Sequence, residues 1–240
     1  MSVNAASVEL RTLGLVGGMS WESTASYYAL INRGIQARCG GLTSARLLLS
    51  SVNFEQVANM QRNNDWAGAA KLLSTQAQTL ENAGAQAILL CTNTMHKVAD
   101  ELAAAVSVPL LHIADSLSAA LHADARTCIG LLGTRFTMQE TFYKTRLVQQ
   151  GIDVIVPNPQ EQDDVHRIIF EELCQGILRE ASRQRYLEII TRLQTEGAQA
   201  MVLGCTEIAL LLDASHTDIP LYDTTALHAA AGVGFALGEG

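Results

Sequence analysis

Gly84-Ala85-Gln86-Ala87-Ile88-Leu89-Leu90-Cys91-Thr92 has a near-copy later in the chain, Gly197-Ala198-Gln199-Ala200-Met201-Val202-Leu203-Gly204-Cys205-Thr206. Each is an apolar run of strand length that opens on glycine and delivers a cysteine followed by a threonine. Around the first copy, strand-like runs alternate with helix-length segments. Leu13 to Val16 reads as a strand ending in Gly17-Gly18, and Trp21 to Arg38 as a helix with Ser20 as N-cap and Glu22 in its first turn. Ala45–Ser50, Ala87–Cys91 and Val108–Leu111 read as further strands. Asp65–Ala83, Met95–Val106 and Asp115 to about Asp124 read as helices. This alternation predicts an α/β fold built on parallel sheet.

The pattern then restarts. Thr127-Cys128-Ile129-Gly130-Leu131-Leu132-Gly133 resembles Arg11-Thr12-Leu13-Gly14-Leu15-Val16-Gly17. Gly14 and Gly130 are 116 positions apart, as are Tyr27 and Tyr143. Gly84 maps to Gly197 at 113 and Pro109 to Pro220 at 111, the drift that short loop changes produce. The expectation is an internal duplication into two similar α/β lobes of ordinary domain size. Residues 1–114 with a returning C-terminal helix in 225–240 form one, and residues 115–224 the other. Ligands of open parallel sheets bind at the carboxyl ends of the strands. A pseudo-two-fold relation between the lobes would therefore bring Cys91 and Cys205 to one cleft.

Bulk properties narrow the function. At 240 residues the chain buries a sizeable core, and no apolar run approaches a membrane span. A formal charge of -8 disfavours nucleic acid and anionic membrane as partners. The N-terminus lacks a signal-peptide pattern. The five cysteines follow no disulfide or CxxC spacing, which points to reduced thiols in a cytoplasm. No histidine pattern suggests a metal.

A cysteine at a helix start has free N–H groups and the helix dipole to stabilise its thiolate, and the same donors suit a carboxylate. Two such thiols on opposite faces of an α-carbon could invert it, one removing the proton and the other returning it. Preorganised donors would hold the enolate charge. Cys39, Cys128 and Cys174, lacking that placement, read as packing residues.

At these residues the chain resembles the aspartate/glutamate racemase family. The matching pieces are Gly14-Leu15-Val16-Gly17-Gly18-Met19-Ser20-Trp21-Glu22-Ser23-Thr24, Leu90-Cys91-Thr92-Asn93-Thr94-Met95-His96-Lys97, Gly204-Cys205-Thr206-Glu207 and Ile168-Ile169-Phe170-Glu171-Glu172-Leu173. The resemblance implies an amino-acid racemase that uses no pyridoxal phosphate, with Cys91 and Cys205 as its two acid–base groups and homodimerisation common. It also implies substrate contacts from Met19, Asn53, Gln61, Thr92, Asn93, Thr94, Thr134 and Thr206. Glu207 reads as complementing a helix dipole, His96 and Lys97 as lying on a solvated or lobe-contact face, and His112 and Asp115 as structural.

The stretches Asn53–Asn59 and Glu161–Asp164, read as specificity loops, carry acids and no base, with Arg62 and Arg167 nearby. That composition favours neutral or polar amino acids, with cationic ones admitted, and hence broad specificity. The alternatives are an aspartate or glutamate racemase proper, a maleate isomerase or hydantoin racemase type of enzyme, a malonate decarboxylase, and a non-catalytic two-lobed protein that binds a small carboxylate.

Overall fold

In the computed structural model, which describes residues 9–239, the elements follow one another as strand and helix almost throughout. The first are β1 (Leu13–Gly17), α1 (Trp21–Cys39), β2 (Leu47–Ser51), α2 (Phe54–Arg62), α3 (Trp66–Asn82) and β3 (Ala87–Leu90). A 3-10 turn, Thr94–Val98, leads into α4 (Ala99–Ala105), β4 (Leu110–Leu111) and α5 (Ile113–Ala123). Then come β5 (Cys128–Gly133), α6 (Arg135–Gln139), α7 (Thr141–Gln149), β6 (Asp153–Ile155) and α8 (Pro159–Glu171). After a second 3-10 turn, Leu173–Gln175, the chain ends with α9 (Glu180–Thr195), β7 (Met201–Gly204), α10 (Ile208–Leu211), β8 (Leu221–Asp223) and α11 (Thr224–Leu237).

The strands form two parallel four-stranded sheets with the same internal order, β2-β1-β3-β4 and β6-β5-β7-β8. Two compact units result. Of the described residues, the first holds 9–91, Val98–Leu111 and 229–239; the second holds Thr92–Lys97 and His112–His228.

Each unit has its own core, and the side-chain periods explain it. In the first, Leu13, Leu15 and Leu89 point to one face of the sheet. Tyr27, Ile31 and Ile35, spaced by four along α1, and Ala229 and Val233 of α11 cover that face. In the second, Leu131 and Val202 pack against Ile113, Leu117 and Leu121 of α5 and Tyr143 and Leu147 of α7. On the opposite face, Leu132, Met201 and Leu203 meet Val165, Ile168 and Ile169 of α8 and Tyr186, Ile189, Ile190 and Leu193 of α9.

The repeated sequence acts through repeated hydrogen bonds. Gly84 and Gly197 adopt φ of 100° and 108°, a turn that a β-carbon would strain, just before β3 and β7. Two residues on, the Gln86 side chain accepts the Thr12 N–H at 2.9 Å, and Gln199 accepts that of Thr127 at 2.9 Å. The Pro109 carbonyl accepts the Ile88 N–H, and Pro220 accepts that of Met201. The glutamines clip the central strand of each sheet at its start, and the prolines do the same for its neighbour.

Two sequence expectations need correction. The Asn53–Asn59 stretch is α2, with Asn53 as N-cap accepting the Glu55 N–H, and Glu161–Asp164 lies in α8. Helix α8 is started by Pro159 in its first turn and a reciprocal Asn158–Glu161 capping box. The expected Met95–Val106 helix divides into the Thr94–Val98 3-10 turn and the shorter α4. Among the described residues no helix is long and apolar enough to cross a membrane.

Candidate active site

Cys91 directly follows β3 and continues its ladder, its N–H donating to the Val16 carbonyl at 2.9 Å. Its side chain is fully buried. The Ser23 hydroxyl, in the first turn of α1, donates to the Cys91 carbonyl at 3.5 Å. Cys205 directly follows β7 and is partly reached by solvent, and its Sγ donates to Glu207 Oε2 at 2.9 Å.

Neither thiol has the helix-dipole environment expected from the sequence. A 3-10 turn follows Cys91, and α10 after Cys205 is only four residues long. Burial instead pushes the Cys91 thiol well above its ordinary value. Burial and then the Glu207 carboxylate do the same to Cys205. Both sulfurs therefore rest as thiols.

Within the second unit, hydroxyls and amides bond to one another in the loops that follow β5 and β7 and at the start of α11. Thr94 and Thr134 share a hydrogen bond of 3.2 Å, and Thr134, the N-cap of α6, bonds in turn to Thr137 at 3.2 Å. Asn93 Nδ2 donates to Thr224 Oγ1 at 3.0 Å, and that hydroxyl donates to the Leu203 carbonyl at 2.9 Å. Thr206 and Thr225 pair at 3.1 Å. Asn93 is 6% exposed, and among the described residues its Oδ1 is buried with no hydrogen-bond partner. A bare acceptor beside rotatable hydroxyl donors can hold an ammonium group and a carboxylate together.

Asn93, Thr94, Thr134, Thr206 and Cys205 thus belong to one unit, as does Thr92, whose carbonyl is bonded by His96. Met19, buried after Gly18, Asn53, Gln61 in the last turn of α2, and Cys91 belong to the other.

Sequence reasoning missed Thr224 altogether and read Thr225 only as the start of the last helix. It assigned Glu207 to a dipole, whereas that side chain is 7% exposed and holds the Cys205 thiol. It placed His96 on a solvated or lobe-contact face. The ring is 3% exposed and bonded to Thr92 and Ile113 of its own unit, which removes the solvated alternative. Lys97 pairs with Glu140 at 2.9 Å. His112 caps α5, and Asp115 takes a two-point bond from Arg146 at 2.7 Å.

Comparison with known proteins follows the same lines. The family model described as Asp/Glu/Hydantoin racemase matches residues 16–232. A Yersinia pestis crystal structure bearing a provisional Asp/Glu racemase description is 49% identical, with a TM-score of 0.91 over 95% of this chain and 100% of its own. An aspartate racemase homologue from Pyrococcus horikoshii OT3 is 31% identical, with a TM-score of 0.83 over 95% of this chain and 99% of its own. The broad specificity amino-acid racemase RacX of Bacillus subtilis is 26% identical over 160 residues, covering 65% of this chain and 67% of RacX.

Proposed function

The chain belongs to the Asp/Glu/hydantoin racemase family, and from that premise we propose that it interconverts L- and D-amino acids by passing the α-proton between Cys91 and Cys205, without pyridoxal phosphate. One sulfur, as thiolate, takes the proton from one face of the α-carbon and becomes a thiol. The other gives its proton to the opposite face and becomes the thiolate. The enolate charge formed between these steps is stabilised by threonine hydroxyls.

The observation that carries this reading is the unpaired Asn93 Oδ1 in the loop after Cys91, with the Thr94–Thr134 and Thr206–Thr225 hydroxyl pairs in the same unit. An α-amino acid offers the matching ammonium and carboxylate. Its ammonium also supplies the positive charge that a thiolate needs once burial has raised the resting thiols. The five free cysteines suit a reducing compartment.

Broad specificity is part of the proposal. Basic groups near the candidate residues and near the Glu161–Asp164 stretch are engaged: Arg62 by Glu55 at 2.6 Å, Lys97 by Glu140 at 2.9 Å, Arg135 by Asp163 at 2.7 Å and Arg167 by Glu172 at 3.3 Å. Reading a distal carboxylate with any of them would mean breaking an existing ion pair. Neutral and polar side chains need no such exchange, and the similarity to RacX points the same way.

The test is incubation of single enantiomers in D2O without added cofactor, followed by proton NMR and optical rotation. Exchange and loss of rotation are expected for several neutral amino acids. A folded protein that exchanges none overturns the mechanism; turnover confined to aspartate or glutamate overturns the breadth.

A further inference from the structure

His96 is a buried group that the proposed chemistry leaves unused, and both of its ring nitrogens are committed. The Ile113 N–H donates to Nε2 at 3.2 Å, so Nε2 is the bare nitrogen and Nδ1 carries the proton. Nδ1–H then donates to the Thr92 carbonyl at 2.7 Å. One imidazole thereby ties the residue after Cys91 to the first turn of α5. That turn is itself fixed, because His112 caps α5 by accepting the Ala114 N–H on its own Nδ1 at 3.1 Å.

The ring is held from other sides as well. The His112 centroid lies 4.5 Å away at 66°, and His228 of α11 lies 5.6 Å away at 68°. Among the described residues no set of three His, Cys, Asp or Glu is placed to hold a metal ion, so the cluster reads as packing and hydrogen bonding. The segment it tethers has little regular structure. Thr92 and Asn93 lie between β3 and the 3-10 turn, and a His96 N–H to Asn93 carbonyl bond of 3.0 Å closes the same short loop. That loop carries the unpaired Asn93 Oδ1 and the Thr94 hydroxyl.

We propose that His96 is a positioning residue: through the Thr92 carbonyl it sets the Thr92–Thr94 loop so that Asn93 and Thr94 meet the amino acid, an inference that rests on the racemase reading above. The proton on Nδ1 is the essential feature and the Nε2 acceptor the lesser one, because only the first bond reaches the loop.

Three variants separate the two bonds. His96→Asn keeps a donor at the δ position, His96→Gln keeps an acceptor at the ε position, and His96→Ala keeps neither. Racemisation kinetics and amide hydrogen exchange of residues 92–95 are measured for each. With H96A and H96Q, kcat should fall roughly ten- to hundredfold, more than KM rises, because small displacements of positioning groups cost rate steeply. Loop amides should also lose protection. H96N should stay within about threefold of the parent kcat, with parent-like exchange. A merely structural role would weaken H96N and H96Q alike. Equal impairment of those two, or unchanged loop exchange in H96Q, overturns the proposal. If H96A does not fold, the H96N and H96Q pair still decides. If the parent protein exchanges no α-proton, the racemase reading fails by itself, and the exchange pattern still tests the tether.

Discussion

Replacing Glu207 by Gln should lower the pH at which Cys205 ionises. The Glu207 carboxylate sits 2.9 Å from Cys205 Sγ, buried, and its negative charge opposes formation of a second one on sulfur. Coulomb's law at 2.9 Å with an effective dielectric near 20 gives about 6 kcal/mol as the unscreened size of that opposition. Cys205 is partly reached by solvent, and the amide of Gln can still accept from the thiol, so most of that figure is lost. A drop of about one to two pH units remains, equivalent to roughly 1.4–2.7 kcal/mol. The assay is alkylation by iodoacetamide across a pH series, with mass spectrometry quantifying the Cys205 peptide alone. C205S serves as the blank. A midpoint that stays put or rises in E207Q would refute the idea that the carboxylate holds this thiol protonated.

Other expectations can be checked independently. Cys91→Ala and Cys205→Ala should each reduce racemisation by roughly 10²–10⁴-fold while leaving the folded state intact by circular dichroism, the range for loss of one acid–base group. Parent-like rates in either variant would exclude that sulfur from proton transfer. Buried and neutral, His96 and His112 have folded pKa values below their unfolded ones, His112 at about 4, owing first to burial and then to neighbours that include Arg146 and other histidines. The unfolded chain therefore binds their protons first, and stability present above about pH 6.5 is lost as pH falls, on the order of 3 kcal/mol by pH 4 from His112 alone. Urea melts at pH 7, 5.5 and 4 would show it, and a flat profile would count against neutral burial. A β-carbon at Gly17 would collide with Thr24, whose hydroxyl accepts the Gly18 N–H at 2.8 Å, so Gly17→Ala should cost about 1–3 kcal/mol in the same melts.

The fold was legible because its signals are local and occur twice. Apolar runs of four to six residues, Gly84 and Gly197, and the matched prolines each report a strand or turn without knowledge of what packs on it. Helices α2 and α8 were obscured by their charged surfaces, although Asn53 and the Asn158-Pro159-Gln160-Glu161 box carried the start signals. The site was only half legible. The sulfurs at strand ends could be read from the chain. The Thr206–Thr225 and Asn93–Thr224 pairs join residues 19 and 131 positions apart, and no periodicity reports such a bond. Thiol ionisation was misread for a related reason. A helix dipole depends on the length of helix that follows, whereas desolvation depends on everything around the sulfur.

The glutamine clips show that the two ends of β3 and β7 carry separate duties. Gln86 and Gln199 brace each strand where it begins, and Cys91 and Cys205 follow where it ends. Substitutions near the sulfurs therefore leave the braces untouched, and under the proposed mechanism the scaffold could lose or exchange its chemistry without losing its architecture. Such a division favours divergence: descendants of one duplicated ancestor could keep an identical framework while their reactions drift apart. Sequence similarity concentrated at the clips would then report common descent, and, if the proposed proton transfer holds, similarity at the opposite strand ends would report common activity.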